Sequence, residues 1–362
     1  MTAGRRSSVA AATLPIVPVP QDDELISSWL DRTARFYNQS LGDLLCTTRR
    51  SRKQVHLANI DIGKPRAALL PIATLLGIRL EQLEKQTISF AFPWSTKIVA
   101  RGIYISIGQT QPNLRYAACY HCLEQQKIDH GFSWLRREWV IASRTVCSVH
   151  HVMLQEGQGT VIVHPAWRTY LRNHCRAGKS VCAMYPSILG GAPSTRPAAG
   201  EGLIDRLHRR TILVQDTLLA AAALGKKARG GSDLDDLGYV VGDLLWAFTR
   251  ADRHFDDRLV YEAFSSPRLE TDWLLGQRRR PGPIDFTFLH VDERHSMLAT
   301  VALLTGDQVF RESFYHLPCG WQDILATFYR RLKDSDRDEF AGRQRHWPPV
   351  FQVDGVGAGA EV

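Results

Sequence analysis

Apolar positions along residues 22–88 recur at helical spacing. Leu25, Ile26, Trp29, Leu30 and Ala34 form one face that continues to Tyr37, which predicts a first helix with Asp22-Asp23 as its N-cap. Ser40 is placed to cap a short helix through Leu41, Leu44 and Leu45. Arg66 to Leu76 reads as helix, Gly77 as its stop, and Leu80 to Glu84 as a second helix begun at once. Ala73, Gly77, Ile78 and Leu83 have the spacing of a helix-turn-helix: a small residue where the helices touch, a glycine in the turn, and apolar residues facing back into the core. Residues 89–190 have the character of short strands and loops around cysteines. Helical period returns at Leu203–Leu224, Asp233–Thr249, Leu259–Phe264 and Ser296–Leu304.

The expected fold is mainly α. It has a flexible leader (1–21), a helix-turn-helix-like helical domain (22–110), a zinc-binding knuckle or ribbon module (111–189), a Gly/Pro-rich linker (190–202), a C-terminal helical domain (203–350) and a flexible tail (351–362). Arg5-Arg6 and the apolar run after them sketch a signal peptide, but Pro15, Pro18 and Pro20 break it. No run of 18 apolar residues is present, so no spanning helix and no membrane partner are expected.

Charge changes this picture by its distribution. Residues 1–190 hold 23 Lys+Arg against 12 Asp+Glu, a net +11, whereas 191–362 hold 22 against 25, a net −3. The first part is the candidate polyanion binder and the second a candidate protein-contact unit. Arg49, Arg50, Arg52 and Lys53 place four positive charges in five residues, and Arg136 and Arg137 lie among Trp134, Trp139 and Trp167. These six are the candidate DNA contacts, although tryptophans near a metal knuckle more often form its small core. Glu81 and Glu84 on the second helix of the pair would repel phosphates. Gly178-Lys179-Ser180 lacks the upstream glycine of a phosphate loop, and Arg278-Arg279-Arg280 reads as a solvated loop.

Five of the seven cysteines lie between Cys119 and Cys182, too unevenly spaced for a disulfide scaffold, and a reducing cytoplasm fits them. Cys119-Tyr-His-Cys122 and Cys147-Ser-Val-His150 are two facing knuckles. Cys119, Cys122, Cys147 and His150 make a Cys3His set for one structural zinc. His121 and His151 sit at less suitable spacings. The spacing of His164, His174, Cys175 and Cys182 is irregular and leaves a second site open. Neither an H-x-E nor an H-E-x-x-H signature is present, so catalytic zinc is not expected.

Two blocks resemble the TniQ/TnsD family of bacterial transposon target-selection proteins. One is Pro18-x-Pro20 with Glu24-Leu25-x-x-Ser28-Trp29-Leu30-x-Arg32, followed by Gly77-Ile78-x-Leu80-x-x-Leu83. The other is Tyr116 to Leu154 with Cys119-x-x-Cys122, Trp139, and Cys147-x-x-His150-x-x-x-Leu154. The resemblance implies a non-enzymatic, DNA-associated, nucleoid-located adaptor that marks a target site on duplex DNA and recruits an AAA+ ATPase and its transposase. It acts on no small-molecule substrate, and a homodimer is left open. The alternatives are a stand-alone zinc-containing transcription regulator and a metal-dependent nucleic-acid enzyme, which would need a carboxylate cluster.

Overall fold

The computed structural model describes residues 13–46, 57–63, 65–93, 117–156, 199–224, 240–247, 291–306, 309–310 and 332–348. The Arg49–Lys53 cluster, most of the expected linker, the Arg278–Arg280 run, the tail and residues 1–12 of the expected leader lie outside them. The described elements are predominantly helical.

The first helix, α1, spans Ile26–Phe36 and buries Ile26, Trp29, Leu30 and Ala34, the face expected from the pattern. It ends where Asn38 takes a positive φ of 54° and Gln39 N–H bonds back to Ala34 O. Its N-terminus corrects the expected cap, because no side chain of the Asp22-Asp23 pair closes it. The carboxylate of Asp61, fully buried on α3 (Leu57–Ile62), accepts from Ser27 N–H at 2.7 Å and Ser27 Oγ at 2.6 Å. A helix start with no intrahelical acceptor for its amides takes a carboxylate from any direction, and the macrodipole favours the negative charge.

Residues 13–21 also depart from the expected leader, since they form a strap across α1 and α4 (Leu70–Leu76). Leu14 N–H bonds to Leu75 O, Ile16 exchanges hydrogen bonds with the Tyr37 hydroxyl, and Trp29 Nε1 donates to Pro18 O at 2.6 Å. Prolines exclude helix here but leave every carbonyl free to accept, which suits an extended strap held by side-chain donors.

Ser40 caps α2 (Leu41–Cys46) through Asp43 N–H at 3.1 Å. The stretch 66–76 is not one helix: a 3-10 turn over Arg66–Ala68 precedes α4, with Pro71 in the first turn of α4. Pro71 has no N–H to continue a helix from Ala67, so it restarts one instead. Gly77 then adopts φ +64°, Ile78 N–H closes on Ala73 O, and α5 (Leu80–Lys85) returns Leu83 to the core. Glu84 is held by Arg66, whereas Glu81 stays exposed. The short α6 (Ile88–Ala91) follows, and the buried apolar side chains of α1 to α5 form one cluster.

A second cluster takes in Leu25, Ile88, the cysteine module and the C-terminal helices together. The long α8 (Ala199–Leu224) begins inside the segment read as linker and packs along α9 (Val291–Leu304), joined by helical residues 240–247 and by α10 (Asp334–Gln344). Trp246, Phe340 and Trp347 close that end, where the Trp347 indole donates to Asp243 at 2.9 Å. Among the described residues, the buried apolar side chains of these helices pack on each other and on the cysteine module, while Leu213 stays exposed.

Candidate metal centre

A two-residue antiparallel pair, β1 (Ala117–Ala118) with β2 (Gln155–Glu156), and an isolated bridge from Val146 to Met153 set the two knuckles face to face. Cys119 is the N-cap residue of α7 (Tyr120–His130), so Cys122 lies in its first turn. This helix replaces the loop expected after the first knuckle. Only Cys122, Leu123 and Gln126 of it are buried, too few to leave an apolar period in the sequence. The second knuckle is a tight turn: Cys147 N–H bonds to Val152 O, His151 takes φ 52°, and the amides of Val149 and His150 both point at Cys147 Sγ at 3.4 Å.

The four donor atoms of Cys119, Cys122, Cys147 and His150 all lie within 4.8 Å of one another. Cys122 Sγ is 3.5 Å from Cys147 Sγ, and His150 Nδ1 lies 3.6, 3.2 and 3.9 Å from the sulfurs of Cys119, Cys122 and Cys147. A tetrahedron with Zn–S near 2.3 Å and Zn–N near 2.0 Å has edges of about 3.5–3.8 Å, so the donors fit such an ion with little movement. The sulfurs are too far apart for a disulfide. Their electrostatics point the same way. Hydrogen bonds from Cys119 and Cys122 pull the Cys147 thiol far down towards thiolate, whereas the bonds with Cys119 and Cys147, with burial, push Cys122 up. Cys122 lowers Cys119, but Cys147 and burial outweigh it and hold that thiol at about 11. Three crowded sulfurs without a cation sustain one negative charge; a divalent cation is what allows all three to ionise.

His151 is exposed; its carbonyl lies 2.9 Å from His208 Nε2 and its ring stands edge-on to that of His208, with 6.3 Å between centroids. His121 sits outside the set, its ring 5.4 Å from that of His150. Trp134 and Trp139 are buried, as expected of rings that close a small core, and Trp167 lies outside the described residues. Arg136 pairs with Asp23 at 3.1 Å, and Arg137 donates to the carbonyls of Asp22 and Lys85. Both arginines thus tie this module to the N-terminal helices.

The motif residues of α1 serve the same seam. Glu24 holds Arg32 at 2.7 Å, Ser28 Oγ accepts from Leu135 N–H, and Arg32 stacks over Phe132 at 4.3 Å. Sequence reasoning missed the other seam, where Thr145 meets Gln215 and His295. A glutamine and a histidine seven apart on the apolar face of α8, Gln215 and His208, were the available signal.

His295 is fully buried with its Nδ1 3.0 Å from Thr145 Oγ1. Burial, and then the neighbouring His208, lower it to about 3. A base whose folded pKa is depressed loses stability as pH falls from its unfolded value near 6.5 towards 3, because the unfolded chain takes the proton first. Acidification from pH 7.5 to 5 is expected to cost about 2 kcal/mol through this residue. His295→Gln should flatten the pH dependence of the urea midpoint over that range by about that amount, and an unchanged slope in the variant would rule His295 out as its source.

Residues 15–154 match the TniQ family model. The match takes in both sequence blocks, the N-terminal helices and all four donors, and it marks a transposition-associated protein. No curated protein and no solved structure matches the chain. Among the described residues no helix is long and apolar enough to cross a membrane.

Proposed function

We propose that this chain, which carries a TniQ domain over residues 15–154, is a non-enzymatic adaptor that marks a target site on duplex DNA and recruits an AAA+ ATPase for a transposase. The observation that carries the reading is that the matched span contains Cys119, Cys122, Cys147 and His150, whose donor atoms lie close enough together to hold one metal ion. Cys119, Cys122, Cys147 and His150 would supply all four ligands. A closed four-protein set leaves no position for a reacting water, so the ion would serve the fold.

DNA contact is assigned to the basic first half, with Arg49, Arg50, Arg52 and Lys53 as its main phosphate ligands. The C-terminal helices, having buried one side on the metal module, keep their outer faces for protein partners. Neutralising the four basic residues should weaken duplex binding on every sequence and flatten the log K against log salt slope by about 0.9 for each phosphate no longer neutralised. The same full-length protein should retain an AAA+ ATPase in a pull-down. Turnover of DNA with Mg(II) or Mn(II) would favour an enzyme instead, and tight sequence-specific binding with no ATPase retained would favour a transcription regulator.

A further inference from the structure

The metal ligands account for only part of what holds the second knuckle. Gln215 of α8 is fully buried, and its Oε1 accepts from Thr145 N–H at 2.7 Å and from Val146 N–H at 3.0 Å, with Thr145 Oγ1 at 3.3 Å. Val146 immediately precedes Cys147. Two helical turns earlier on the same helix, His208 Nε2 lies 2.9 Å from the carbonyl of His151, the residue immediately after His150. At 1.5 Å rise per residue these side chains stand about 10 Å apart, enough to bracket the four-residue turn. Three further contacts fasten the same segment. Asp216 pairs with Arg144 at 2.9 Å, His295 reaches Thr145 from α9, and the Arg294 guanidinium donates to Ala142 O.

We propose that Gln215 and His208 are positioning residues for the metal centre, so that metal retention and the docking of α8 and α9 are one coupled equilibrium. The inference rests on the zinc reading and assigns residues outside the span matched to the family. A single atom, Gln215 Oε1, accepts from two adjacent buried amides. Without it, residues 145 and 146 gain most by turning toward water, which carries Cys147 Sγ away from the other three donors. Groups that orient metal ligands in this way typically contribute 10–100-fold to metal affinity. Coupling is reciprocal: if α8 holds the metal, the metal holds α8.

The test uses the full-length protein. Gln215→Met keeps the side chain's length and removes its acceptor, and Ile72→Ala weakens the other apolar cluster as a control for general destabilisation. Zinc release to 4-(2-pyridylazo)resorcinol should be at least about 10-fold faster in Gln215→Met and within about twofold of wild type in Ile72→Ala. The ligand-field spectrum of the Co(II)-substituted chain should shift in the first variant only. Release at the wild-type rate in Gln215→Met, or equal acceleration in Ile72→Ala, overturns the proposal. Should Gln215→Met fail to fold, hydrogen exchange on the wild-type chain decides. On stripping the metal, amides of 208–218 and 291–304 should lose protection together with 142–154, while 70–76 keep theirs. Retained protection over 208–218 overturns the coupling. A purified chain that carries no zinc and takes up no Co(II) overturns the metal reading itself, an outcome distinct from a bound metal whose release ignores Gln215.

Discussion

Cys147→Ala is expected to abolish metal binding and to unfold the cysteine module in the full-length chain. Elemental analysis of the wild type should give about one zinc per chain and of the variant none, and proteases should cut the variant within 117–156. The expected effect is large because Cys147 carries more of the local structure than a ligand bond. Its sulfur accepts from the amides of Val149 and His150, its N–H and C=O close the turn with Val152 and His151, and its neighbours are held by Gln215. Around it the strands are two residues long and α7 buries only three side chains. Such a module folds largely on the metal, whose binding free energy in comparable structural sites is about 10–16 kcal/mol. A well-folded, metal-free wild type would show that the four donors meet for packing alone.

Glu24→Ala is the second large effect, expected to lower stability by about 3–5 kcal/mol, read as a shift of the urea midpoint. The Glu24 side chain is completely buried and Arg32 is 10% exposed. The carboxylate accepts from Arg32 at 2.7 Å, from Gln21 N–H at 3.1 Å and from Ser28 Oγ at 3.4 Å. Removing it strands a guanidinium already stacked on Phe132 and committed to Val19 O. Removing both charges, in Glu24→Met with Arg32→Leu, should recover much of the loss, since a buried pair is expensive mainly when it is broken. The motif would then be a structural clasp between α1 and the cysteine module. Loss of DNA or partner binding in a fully stable Glu24→Ala protein would mark it as a contact surface instead.

The sequence by itself determined the elements whose signal is local. The buried face of α1 recurs at helical period, Ser40 caps the helix beside it, and Gly77 is the residue that accepts φ +64° between α4 and α5. The four candidate donors were legible because a metal site imposes a spacing on each knuckle, and four-residue turns are written in consecutive residues. What stayed hidden lies in the joins. The cap of α1 comes from Asp61, 34 residues away, and the proline-rich start is a strap because Trp29 and Tyr37 reach its backbone. The start of α9 could not be read because Asp292 to His295 are polar by type, yet Arg294 and His295 are buried. Thr145 finds its partners at Gln215 and His295, 70 and 150 residues along the chain. Periodicity reports which face of a segment leaves water, but it does not say what that face meets. A buried amide, carboxylate or imidazole must be satisfied by whichever distant group the packing brings to it. For that reason only the tertiary structure joined the cysteine module to the C-terminal helices in one core, where the charge step and the linker composition had suggested a boundary.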